Sequence, residues 1–127
     1  MVGFPRGHAF TGRVRNLDAH ELPELIGRQA RSDRPYLEFI RHPDISVGLY
    51  VLPAGGLDGQ SPHAEDEVYY VVEGSGRITV DDETRDVRPG SVVYVARTVP
   101  HRFHDITEEL RILVIFAPAE TSTPPGS

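Results

Sequence analysis

At 127 residues with no cysteine, the chain has the size of one domain and cannot build a disulfide, a thiolate metal site or a thiol nucleophile. Its formal charge of -6 argues against the basic surface that nucleic-acid binding needs. The opening MVGFPRGHAFTGRVRN has no apolar signal core and no stretch approaches a membrane span, so a soluble, cytoplasmic protein with no membrane partner is expected.

Residues 1–35 read as an N-terminal arm that packs on the domain or swaps with a second copy, through a strand such as AFTGRV. Its one helical stretch is LDAHELPELIGRQARS, where Asp18 is placed to cap a turn, Leu22, Leu25 and Ile26 fall at i, i+3 and i+4, and Pro23 keeps the helix short. Strand candidates follow at close spacing: 36–40, 45–52, 67–73, 77–80, 84–87, 91–96, 101–105 and 110–117. Turns at PAGGLDG, GSG, DDE and RPG separate them, among the chain's 12 Gly and 11 Pro. The pattern predicts an all-β domain over 36–118, a sandwich or barrel, with a disordered tail over 119–127.

The chemistry concentrates in QSPHAEDEVYYVVEG, residues 60–74. Along a straight strand His63 and Glu67 would stand roughly 13 Å apart, too far for one ion. A reversal at Ala64, Glu65 and Asp66 would bring their Cβ atoms to about 5 Å, which suits a shared metal. In RPGSVVYVARTVPHRFHD, Gly90 turns the chain into an apolar strand and His101 opens the next one, making it the natural third ligand.

These two stretches resemble the paired motifs of the cupin superfamily, over residues 55–117. The first motif runs glycine, His-x-His, glutamate, glycine, and His63, Glu67 and Gly74 match it. The second runs from glycine through Pro-x-Gly to histidine and often asparagine, and Gly90 and His101 match it at full spacing. Ser61 stands in place of the first histidine, and Ala96, Thr98 and Asp105 replace the proline, glycine and asparagine. The resemblance implies a small antiparallel jelly-roll β-barrel, a metal or small ligand inside it, and a homodimer.

Two imidazoles and a carboxylate suit iron, manganese, nickel, copper or zinc and leave coordination positions open. Gln60 and Ser61 are near enough in sequence to reach the vacant corner. Strand alternation sends Tyr69 and Val71 inward with Glu67, and Phe103 and Asp105 inward with His101, so Tyr69, Phe103 and Asp105 are expected to line the pocket. Asp105 is placed to orient a histidine ligand. His8, His20, His42 and His104 read as surface residues. No Gly-x-Ser-x-Gly elbow, phosphate loop or dinucleotide fingerprint occurs. The expected function is metal-dependent chemistry on a small organic molecule, either oxygenase-like or a redox-neutral isomerisation, cyclisation or elimination. The alternative is a non-catalytic barrel that binds or senses a small ligand.

Overall fold

Short apolar runs bounded by glycine and proline give strands that must find partners, and several find them far along the chain. The computed structural model describes residues 16–59 and 62–121. Its elements are α1 (Leu22–Arg31), β1 (Tyr36–His42), β2 (Ile45–Leu52), β3 (Asp66–Val80), β4 (Glu83–Val87), β5 (Val92–Val95) and β6 (His101–Ala117). Every pairing is antiparallel, in the order β1-β2-β6-β3-β4, with β5 beside β3. The architecture is the small antiparallel β-barrel of jelly-roll type, with one short helix. No helix among the described residues is long and apolar enough to cross a membrane.

The long strands β3 and β6 form the spine. The sequence divides each into two pieces, with a turn at GSG and a break before Leu110, but both run through. Their mutual register shifts at three places between Val71 and Arg77, bulges that bend a strand pair without ending it. Gly74 makes the bend possible: its φ is +95°, and a Cβ there would overlap the Glu109 carbonyl on β6. The bent β3 pairs with β5 through residues 67–70 and with β4 through residues 76–80.

Inward side chains fill the barrel, with Tyr69, Val71, Ile78, Phe103, Leu110 and Ile112 sealed from solvent. Strand β2 is buried on both faces, because its other side carries Leu49 and Val51 under Leu25 of α1. Burying one leucine is worth about 1.5–3 kcal/mol, so this contact holds a 10-residue helix that would be marginal alone. Pro23 lies in the first turn, where its missing N–H costs nothing, and so opens the helix instead of shortening it. Asp18 does not cap α1: Glu21 holds the cap position without a side-chain bond, and Asp18 accepts from His20 at 2.8 Å.

The chain beyond β6 is not loose as far as residue 121. Ala119 and Glu120 are buried. The Ala119 amide donates to the Pro43 carbonyl (3.3 Å), the Glu120 amide to Ser46 Oγ (2.9 Å), and Arg41 Nη2 to the Glu120 carbonyl (2.9 Å). These bonds strap residues 118–121 across the β1–β2 hairpin, satisfying backbone groups that burial would otherwise strand. The rest of the expected tail, and the arm as far as residue 15 with His8 and AFTGRV, lie outside the described residues.

Candidate metal centre

The barrel brings His63, Glu67 and His101 together. Each is under a tenth exposed, and one ligand atom from each lies within 4.8 Å of the others. Glu67 is the second residue of β3, paired to Phe116 on β6 and Val95 on β5. His101 begins β6. His63 lies outside any strand; Ala64 and Glu65 bend the chain into β3, and this bend replaces the expected hairpin of two paired strands. The Thr98 amide donates to the His63 carbonyl at 2.7 Å, tying the bend to the turn that precedes His101. Thr98 holds φ at +65°, a left-handed conformation at the position where the motif carries glycine.

The protonation of His101 follows from its neighbours. Nδ1 lies 2.8 Å from the Val99 carbonyl, which can only accept, so Nδ1 carries a hydrogen. Nε2 faces Glu67 Oε2 at 3.1 Å and the Tyr69 hydroxyl at 3.0 Å. Burial disfavours a charged ring here, but the Glu67 hydrogen bond and the Val99 carbonyl outweigh it and hold His101 above the usual histidine range. A divalent cation between these groups would take the place of the Nε2 proton.

The residues present fit such an ion. Glu67 Oε1 is buried with no hydrogen-bond partner, a costly state that a cation would relieve. Two imidazoles and a carboxylate are the donors that first-row divalent transition metals accept.

Tyr69 and Phe103 both face the interior, as expected. Tyr69 is fully buried, bonded to His101 and edge-on to the Phe103 ring at 4.9 Å. Asp105 does not join them. Its φ of +49° adds a residue to the alternation of β6, so Ile106 turns inward and Asp105 points to solvent beside His104 (3.2 Å). Gln60 and Ser61 lie outside the described residues. Of the histidines read as surface residues, His20 and His42 sit half-buried around Asp18, and His104 bonds Thr79 at 2.7 Å.

Four polar residues belong to the site without having been singled out in the sequence. Glu120 Oε2 lies 3.2 Å from His63 Nδ1, both residues buried. Glu65, expected only to form part of the reversal, is 2% exposed and accepts from the Thr121 amide (3.1 Å) and hydroxyl (2.5 Å). Asp58 accepts from the Tyr50 hydroxyl (2.7 Å) and the Phe103 amide (2.9 Å), folding its loop over the barrel. Tyr36 buries a hydroxyl without a partner. Had HAEDE been read as one extended face, the spacing of His63, Glu65 and Glu67 by two would have marked Glu65; nothing local marks Glu120 or Tyr36. Burial raises Glu120 above the usual carboxylate range, with the attraction of His63 acting against that and the charge of Glu65 adding to it. An open groove of about 460 Å³ between β4 and Asp105 shares no residue with this cluster.

A family model described as Cupin domain matches residues 48–116. An uncharacterized protein of Streptomyces coelicolor is 52% identical over 105 residues, which are 83% of this chain and 100% of its own length. TT1209 from Thermus thermophilus superposes with a TM-score of 0.68 at 22% identity, over 81% of this chain and 99% of the other. KdgF from Halomonas sp. superposes with a TM-score of 0.60 at 19% identity, over 65% and 76%. At these identities the solved structures share the fold.

Proposed function

The chain belongs to the cupin family, and from that premise we propose that its barrel holds a divalent transition-metal ion on His63, Glu67 and His101 and presents it to a small organic molecule. One observation carries the reading: three buried donors from two distant segments of the chain converge within 4.8 Å, and one oxygen of the carboxylate among them has no hydrogen-bond partner. When bound, the ion would supply Lewis-acid polarisation of substrate oxygens through the positions these three ligands leave open.

The rest falls to the chain. The Val99 carbonyl fixes the His101 tautomer and so keeps Nε2 turned inward. The Tyr69 hydroxyl, 3.0 Å from that nitrogen, is placed to hold or pass on a proton at the reacting centre. Phe116 packs edge-on to His63 at 4.9 Å, and with Phe103 it excludes water from the inner wall. The Tyr36 hydroxyl is a second phenol. Burial, followed by the charges of Glu38, Glu120 and Glu67, raises its pKa and keeps it protonated. A phenol bonded to a ligand histidine beside a Lewis-acid centre suits a redox-neutral proton shift, as in isomerisation, cyclisation or elimination.

A non-catalytic binding or sensing barrel is the second reading, and Ser61 favours it, because the first-motif histidine is missing. The proposal extends to a cytoplasmic homodimer, supported by the exposed apolar surface of Tyr70, Val92 and Tyr94 side by side on β3 and β5; sedimentation of a Tyr94→Glu variant checks the dimer.

The deciding experiment is metal content per chain, by elemental mass spectrometry on protein without a histidine tag, beside His63→Ala and His101→Ala. A near-stoichiometric ion lost in both variants supports the reading and justifies screening substrates with and without dioxygen. No ion in the parent after reconstitution with iron, manganese, nickel, copper and zinc defeats it. Coordinated water that exchanges and yields to substrate favours catalysis over the second reading.

A further inference from the structure

We propose that the barrel has a second cation site, formed by His63, Glu65 and Glu120, for a divalent transition-metal ion. One ligand atom from each of these three residues lies within 4.8 Å of the others, and all three are at most 3% exposed. The site goes beyond the one on Glu67 and His101 and shares only His63 with it.

Three observations carry the proposal. The first is an unsatisfied donor: Glu65 Oε2 is engaged by Thr121, but Oε1 is buried with no partner. An oxygen left in that state costs free energy unless a cation or proton meets it.

The second is charge. Glu65, Glu67 and Glu120 bring three carboxylates into the interior. No arginine among the described residues forms an ion pair with any of them; Arg41 reaches Glu120 only at its main-chain carbonyl. His63 and His101 face Glu120 and Glu67, but Glu65 is in no ion pair among the described residues, and buried charge so thinly paired is unfavourable. One divalent ion against three carboxylates leaves the interior negative. A second divalent ion would offset that excess.

The third is construction. Glu120 is held by its own backbone, through the amide to Ser46 Oγ and the carbonyl to Arg41, so its carboxylate is delivered by the strap and not by a free side chain. Glu65 is held through Thr121 on the same strap. His63 Nδ1 is already 3.2 Å from Glu120 Oε2. One imidazole and two carboxylates suit manganese, iron(II) or zinc. Both clusters draw on His63, so double occupancy would need one ring nitrogen for each ion.

Zinc titrated into the metal-free, untagged full chain tests the site, read by calorimetry with proton release and by elemental analysis after desalting. The expected result is two ions per chain in the parent, and one in Glu65→Gln and in Glu120→Gln. The second ion should weaken by at least the roughly 10- to 100-fold that losing a supporting partner costs a metal site. His101→Ala should keep the second ion and lose the first. Both glutamine changes preserve shape, and circular dichroism verifies the fold of each variant. One ion in the parent, retained in both glutamine variants, overturns the second site and leaves the first standing, with Glu120 only a hydrogen-bond partner of His63. An ion lost with Glu65 or Glu120 but indifferent to Glu67→Gln and His101→Ala supports this site and overturns the other. No zinc in any protein overturns both.

Discussion

Gly74 and Gly90 share a φ of +95° and both belong to the motifs of this family, yet their surroundings differ, and that difference can be measured. Around Gly90 an added Cβ meets nothing within 4 Å. Gly90→Ala therefore carries only the left-handed backbone cost, about 1–2 kcal/mol. At Gly74 the same Cβ would stand 2.6 Å from the Glu109 carbonyl carbon and 2.7 Å from Leu110 Cα. Those atoms are backbone in the β3–β6 ladder and cannot rotate away. Forcing extra volume into such a contact adds about 1–3 kcal/mol, so Gly74→Ala should lose about 2–5 kcal/mol in all. Urea unfolding followed by circular dichroism reads both losses as shifts of the midpoint at constant slope. Equal losses in the two variants, or a milder loss at position 74, would refute the argument that β3 bends where it does because a side chain cannot fit against β6.

The metal-free protein should become less stable as pH rises through the folded pKa of His101. That pKa is raised: burial opposes the charged ring, but the Glu67 bond and the Val99 carbonyl prevail. The stabilisation is thus fully present below the unfolded value of about 6.5 and lost above the folded one; thermal melts of the parent and Glu67→Gln between pH 6 and 9 check it, and an equal slope in both would count against it. Adding back a bound ion at 100 times its dissociation constant should stabilise the chain by about 2.7 kcal/mol, and a melt with and without chelator should show no such gain in His63→Ala. Asp105→Asn should change stability by less than about 0.5 kcal/mol and leave metal content alone, since the side chain is in solvent and asparagine tolerates its positive φ; loss of metal would restore Asp105 to the site.

Strand β2 was legible to its ends, because ISVGLYVL is a mostly apolar run with Pro53 directly after it and Pro43 two residues before it. His63, Glu67 and His101 could be picked out because their residue types and spacing are informative without coordinates. The errors arose where tertiary contacts outweigh local preference. GSG has the composition of a turn, but pairing of β3 with β6 on one side and β4 on the other carries it through as a bend. Period-two alternation placed Asp105 inside, and a single left-handed residue undid the alternation. Thr98 shows the opposite case, with the motif's backbone conformation surviving a change of residue. Glu120 was out of reach because it follows the last strand, and only the docking of its backbone on β2 buries it.

The strap also has a kinetic consequence. His63 and Glu120 are 57 positions apart in the chain, and Glu65 and Thr121 are 56 apart. Contacts of that span form late and slowly, after loop closure has been overcome. A newly made chain therefore assembles these side chains only once β6 has zipped along β3 and the residues beyond it have settled on β2. In the finished protein the order reverses: peeling of residues 118–121 is a local opening that needs far less than global unfolding. Whatever these side chains hold would then enter with the last step of folding and leave through the first step of fraying.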